Sequence, residues 1–184
     1  MFAAAGGSAA LEIRRGILCL PRPCGEEEPL EHDVLRAGVE IFCLNETVAV
    51  PLFRALRASA RVPVARHTLD QVLRDEVRHR DFGWLLLDWL LTLPSAPRLR
   101  AILDAELPLM LARVRANYTP PPGADPAELT DDERAWGLMP SADYGEILLR
   151  AVERDYVPRF AKRGIDATAA RTPAPSQETS NVRG

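Results

Sequence analysis

At 184 residues and 47% hydrophobic, the chain is long enough to bury one core, which makes it a single globular domain with loose ends. A formal charge of -3, with arginines interspersed among acids and no basic block, argues against a nucleic-acid partner. The longest apolar run, residues 82–93, is interrupted by Asp88 and is too short to span a bilayer, so no membrane partner is expected either.

Residues 1–28 begin with small and apolar side chains but lack the basic start and continuous apolar core of a secretion signal, and they read as irregular or weakly helical. Cys19, Cys24 and Cys43 are an odd number without a disulfide-like pattern, which points to a reducing, cytoplasmic compartment. Residues 31–60 carry apolar side chains at helical spacing, among them Leu35, Leu44, Val48, Leu52 and Leu56. Pro51 lies inside this helix, where it removes a backbone hydrogen bond and crowds the carbonyl of Thr47, so a kink is expected about one turn beyond Glu46.

A second helix over residues 63–93 starts with Pro63 near its first position and stops before Pro94. Around residues 82–91 it is apolar nearly all round, so it should contact neighbours on several sides, with Trp84 and Trp89 in the core. Gly83 sits where a close approach by a helix or a ligand is feasible. A third helix spans 97–117, with Pro108 as another kink, and its acids Asp104 and Glu106 do not share a face and read as solvated. Residues 118–126 form a stiff proline-rich loop. Thr130-Asp-Asp-Glu133 is a capping box that opens a short helix, and a last helix runs over 141–162. Residues 165–184, rich in Ala, Thr, Pro and Ser, predict a disordered tail. With no strand pattern, the class is all-α: a helical domain over 29–164 between two irregular ends.

The chemistry lies in Glu76-Val-Arg-His79. Residues three apart share a helix face, so this carboxylate and imidazole can grip one ion. The two long helices are separated only by a turn near Arg61, which makes them an antiparallel hairpin. Glu46 and Glu76 are equidistant from residue 61, each about 22 Å along its own helix at 1.5 Å per residue, so the two carboxylates arrive at the same height. The expected metal ligands are Glu46, Glu76 and His79.

This hairpin, with Asn45-Glu-Thr-Val48 on one helix and Asp75-Glu76-Val-Arg-His79 followed by Gly83-Trp84 on the other, resembles a helix pair of the ferritin-like superfamily. The likeness runs over about residues 35–91. It implies a ferritin-like helical bundle, an iron or manganese cofactor, and ferroxidase or oxidase chemistry. It also implies that Asp75 supports a ligand imidazole from the other half of a di-metal site. Such a site takes four carboxylates and two imidazoles, and this chain has no second Glu-x-x-His. The chain therefore reads as a family member lacking its N-terminal helix pair, in which a homodimer would complete the metal site. The alternative is a non-catalytic helical remnant or interaction module that binds no metal.

Overall fold

The computed structural model describes residues 28–118 and 128–171. All regular structure among them is helical, in agreement with the expected class. Three pieces join end to end into one rod over residues 30–59: α1 (Leu30–Ala37), a π-helical stretch (Gly38–Asn45) and α2 (Glu46–Ser59). The expected hairpin follows, because α2 stops at Ser59 and α3 (Pro63–Leu90) begins on a proline whose fixed φ suits a first turn. Then come α4 (Ala96–Tyr118), the short α5 (Asp131–Trp136), and a second rod made of α6 (Ser141–Ala151), a second π turn (Val152–Tyr156) and α7 (Val157–Ala161).

The π stretch is the departure from a straight α-helical reading. A π winding places one extra residue in a turn, and its carbonyls need partners of their own. Two such partners are present. The Asn45 side-chain amide donates to the Glu40 carbonyl at 2.9 Å, and the Tyr156 hydroxyl donates to the Leu44 carbonyl at 2.6 Å. Cys43 and Leu44 of this stretch are both fully buried.

Gly83 holds this stretch against α3. A Cβ at that position would lie 2.5 Å from Cβ of Phe42 and 2.7 Å from its carbonyl carbon, so only glycine permits the approach. The occupant of the space is therefore a helix. Nearby, the Trp84 indole N–H donates to the buried Thr47 hydroxyl at 3.0 Å, and its ring meets Phe160 edge-on at 5.0 Å.

Helix α4 lays Leu99, Leu103, Leu107, Met110 and Val114 into the core at spacings of three and four. Its register against the first rod is set by two forked ion pairs, Arg36 with Glu106 and Arg113 with Glu40. Glu106, expected to be solvated, is thus an anchoring group. The capping box forms as expected: the Thr130 amide donates to the Glu133 carboxylate at 2.8 Å, and the Glu133 amide to the Thr130 hydroxyl at 3.2 Å. α5 ends at Gly137 with φ of 97°, and the amides of Arg61 and Val62 donate to the Ala135 carbonyl, docking α5 on the hairpin turn.

Two further expectations are corrected. Trp89 is 56% exposed, because among the described residues nothing covers that side of α3. The boundary of the packed body also moves from residue 165 to 171. Ile165, Ala167 and Ala170 are buried in the core, residues Thr168–Arg171 form a 3-10 turn, and Arg115 donates to the Ala170 carbonyl. Small side chains low in hydrophobicity still pack where the space is narrow. The expectations for residues 1–27 and beyond residue 171 lie outside the described residues.

Ending the chain after Gly164 is accordingly expected to destabilise it. Full burial of an isoleucine contributes about 1.5–3 kcal/mol. For a chain of this size that lowers the melting midpoint by about 3–12 °C. A thermal melt that does not shift would show that the 3-10 turn adds nothing to the body.

Candidate metal centre

Glu46 opens α2 at the end of the first π stretch, where its amide donates to the Ile41 carbonyl five residues back. Glu76 and His79 project from one face of α3, with His79 Nδ1 3.2 Å from Glu76 Oε2. One ligating atom from each of Glu46, Glu76 and His79 lies within 4.8 Å of the others. The equal-height argument from the hairpin turn therefore has a geometric counterpart. The Glu76 side chain is 17% exposed and that of His79 50%, so the cluster is walled on the Glu76 side and open on the His79 side.

Aromatic rings form the wall beside the imidazole. Phe42 meets His79 edge-on at 6.4 Å and Phe82 at 5.0 Å. Phe42 belongs to the π stretch that Gly83 brings close, so the same contact that fixes the backbone also sets this wall.

The electrostatics are those of two carboxylates brought together without a cation. Burial, a hydrogen bond to Glu76 and the Glu76 charge together raise the Glu46 carboxyl from its ordinary range to about 7, while His79 works in the opposite direction. Tyr118, the last residue of α4, has its phenol pushed upward by burial and then by the charges of Glu46 and Glu76, which puts it within electrostatic reach of both. Sequence reasoning assigned Tyr118 to a loop. Its position depends on how α4 packs against the π stretch, and no local spacing signals that.

Asp75 stands apart from the cluster. It is exposed and pairs with Arg78 at 3.2 Å. The imidazole it is expected to support belongs to the other half of a site, which lies outside the described residues. Cys43 is no alternative ligand, since burial pushes its thiol up to about 12 and it packs within the core.

The raised Glu46 carboxyl predicts a pH dependence of stability. Its folded value of about 7 exceeds the ordinary 4.5, so folding takes up a proton in between. The favourable contribution is complete below about pH 4.5 and is lost as pH rises through about 7. Glu46→Gln removes the titration, so urea melts should show the variant gaining on the parent as pH rises from 5 to 8.5. Parallel curves across that range would contradict the shared-proton arrangement.

Comparison with known proteins leaves the centre to be read on its own geometry: no family model matches the chain, and neither a curated protein nor a solved structure does.

Proposed function

We propose that this protein binds a redox-active metal ion, iron or manganese, through Glu46, Glu76 and His79, as half of a di-metal carboxylate centre of ferritin-like type. The observation that carries the reading is the convergence of the three ligating atoms within 4.8 Å of one another. Ligands on opposite sides of one ion, each about 2.1 Å away, stand about 4.2 Å apart. A small rotation of any one side chain closes the difference. Hard oxygen ligands with one imidazole suit iron or manganese and leave positions open for dioxygen or peroxide, the reactants of a ferroxidase or oxidase. A cation would also offset the burial and the Glu76 charge that raise the Glu46 carboxyl.

Two carboxylates and one imidazole hold an ion loosely. A second copy that presents the same three groups from the open His79 side completes the set of four carboxylates and two imidazoles. Iron added anaerobically to the purified protein, followed by metal analysis across a size-exclusion peak, tests this. About two irons in a dimeric peak are expected. Glu76→Ala and His79→Ala should each abolish binding and leave the helical circular dichroism unchanged, since neither residue is needed for the helix itself. A monomer retaining one iron would remove the dimer, and variants binding like the parent would remove the site. The second reading, a helical interaction module without metal, is favoured by the absence of any second Glu-x-x-His.

A further inference from the structure

The seam between α2 and α3 carries a basic cleft that shares no residue with the carboxylate centre. It encloses about 490 Å³ and is lined by Arg54 from α2 and by Asp70, Leu73, Arg74, Val77 and Arg78 from α3. The α3 residues recur at spacings of three and four and so form one stripe. Arg57 forks onto Asp70 at 2.8 and 3.3 Å and clamps the two helices together. Arg54 lies one turn before Arg57, and Arg74 one turn after Asp70. In an antiparallel hairpin both therefore stand on the same side of the clamp, across the seam from each other.

Charge does not cancel here. The hydrogen bond from Arg57, then the charges of Arg57, Arg66 and Arg74, hold the Asp70 carboxyl below its ordinary range against desolvation, so this aspartate is ionised and committed to Arg57. Among the described residues Arg54 and Arg74 form no hydrogen bond with a carboxylate. Arg78 has only Asp75, at 3.2 Å with both side chains largely exposed, a pair weak enough to exchange for another anion. Elsewhere Arg36, Arg113 and Arg163 are each neutralised by a carboxylate, Glu106, Glu40 and Asp88. In a chain whose formal charge is -3, the cleft is a local reversal of sign.

We infer that this cleft binds a phosphate group, free or carried by a small phosphomonoester, between the guanidiniums of Arg54 and Arg74 with Arg78 at the rim. Each planar guanidinium presents parallel N–H donors that match two oxygens of one anion. Two such forks across a seam call for acceptors on two sides and for two negative charges, which a phosphate dianion has and a carboxylate lacks. The second ionisation of a phosphomonoester falls at about pH 6, so the dianion prevails at neutral pH. Leu73 and Val77, both half-buried, make the lining partly apolar, and a lower local dielectric strengthens such ion pairs. The space also exceeds that of a few oxygen atoms, since a water takes up about 30 Å³, and it leaves room for an organic body beside those two residues. The inference holds whether or not the carboxylates take a metal.

NMR titration of the full chain at pH 7.5 and constant ionic strength tests it, with inorganic phosphate and phenyl phosphate as probes and acetate as the monoanion control. The Nε–H signals of Arg54 and Arg74 should shift and saturate with both phosphates, at concentrations at least tenfold below those acetate requires. Arg54→Gln and Arg74→Gln should each weaken phosphate binding at least tenfold. Arg150→Gln, at an exposed pair on α6, should leave it unchanged. Surface substitutions of this kind preserve the fold, and circular dichroism checks that they do. Tighter binding of phenyl phosphate would place an organic body beside Leu73 and Val77, and equal or weaker binding would make free phosphate the ligand; both support the cleft. Shifts that never saturate, acetate binding as well as phosphate, or Arg54 and Arg74 variants that bind like the parent would reduce the cleft to screened surface charge and overturn the inference.

Discussion

Phe160→Ala is expected to lower the melting midpoint by about 6–20 °C, the largest effect of a single substitution in this protein. The residue is fully buried, and its ring meets Trp84 edge-on at 5.0 Å. Truncating a buried phenylalanine removes its transfer free energy and leaves a cavity, together about 3–5 kcal/mol. In a chain of this length each kcal/mol moves the midpoint by about 2–4 °C. Trp84 cannot relax far into the void, since its indole is held by Thr47 and its face is covered by Arg163, 4.8 Å away and itself forked onto Asp88. Differential scanning calorimetry with near-ultraviolet circular dichroism reads both consequences. A shift under about 3 °C would mean the ring is replaceable and that the last rod is not a structural support of α3.

Gly83→Ala comes next, for the opposite reason. The added methyl would overlap the side chain of Phe42 at 2.5 Å and its backbone at 2.7 Å, with the Cys43 amide at 2.9 Å. Backbone cannot rotate out of the way as a side chain can, so α3 and the π stretch must separate. Overpacking of this type costs about 1–3 kcal/mol. That outweighs the roughly 1 kcal/mol of helix propensity alanine brings. A net fall in the midpoint of up to about 8 °C is expected. The separation acts along the line joining α3 to the first rod, so it also draws Glu46 from Glu76. Titration of Glu46 followed by carboxylate-detected NMR should return toward its ordinary range in the variant. A variant as stable as the parent would mean that the close approach is dispensable.

The hairpin and the capping box could be read from the sequence because local chemistry specifies them. Pro63 fixes where α3 begins, and Thr130 with Glu133 satisfies the first amides of α5. The meeting of Glu46 and Glu76 followed from counting residues to the turn, since a rigid helix converts sequence distance into height. The π stretch was hidden for the complementary reason. A spacing rule built on 3.6 residues per turn carries no signal for the wider winding, and the partners that support it include Tyr156, far downstream. Trp89 misled because apolar composition does not say which faces find a neighbour. The 3-10 turn misled because alanines 167 and 170 resemble tail composition until Arg115 and the core supply a seat for them.

The bond between Tyr156 and the Leu44 carbonyl joins two π windings across 112 residues of sequence. Each winding sits in a different rod, and the donor arrives last from the ribosome. At about 5–20 residues per second, the nascent chain holds Leu44 for roughly 6 to 22 s before Tyr156 exists. Over roughly the last two thirds of that interval Glu46, Glu76 and His79 are all present, yet the turn in front of Glu46 lacks the hydroxyl that pins its winding. The hairpin sets the height of the three groups, while the winding that leads into Glu46 is pinned only when the C-terminal rod has been made and docked.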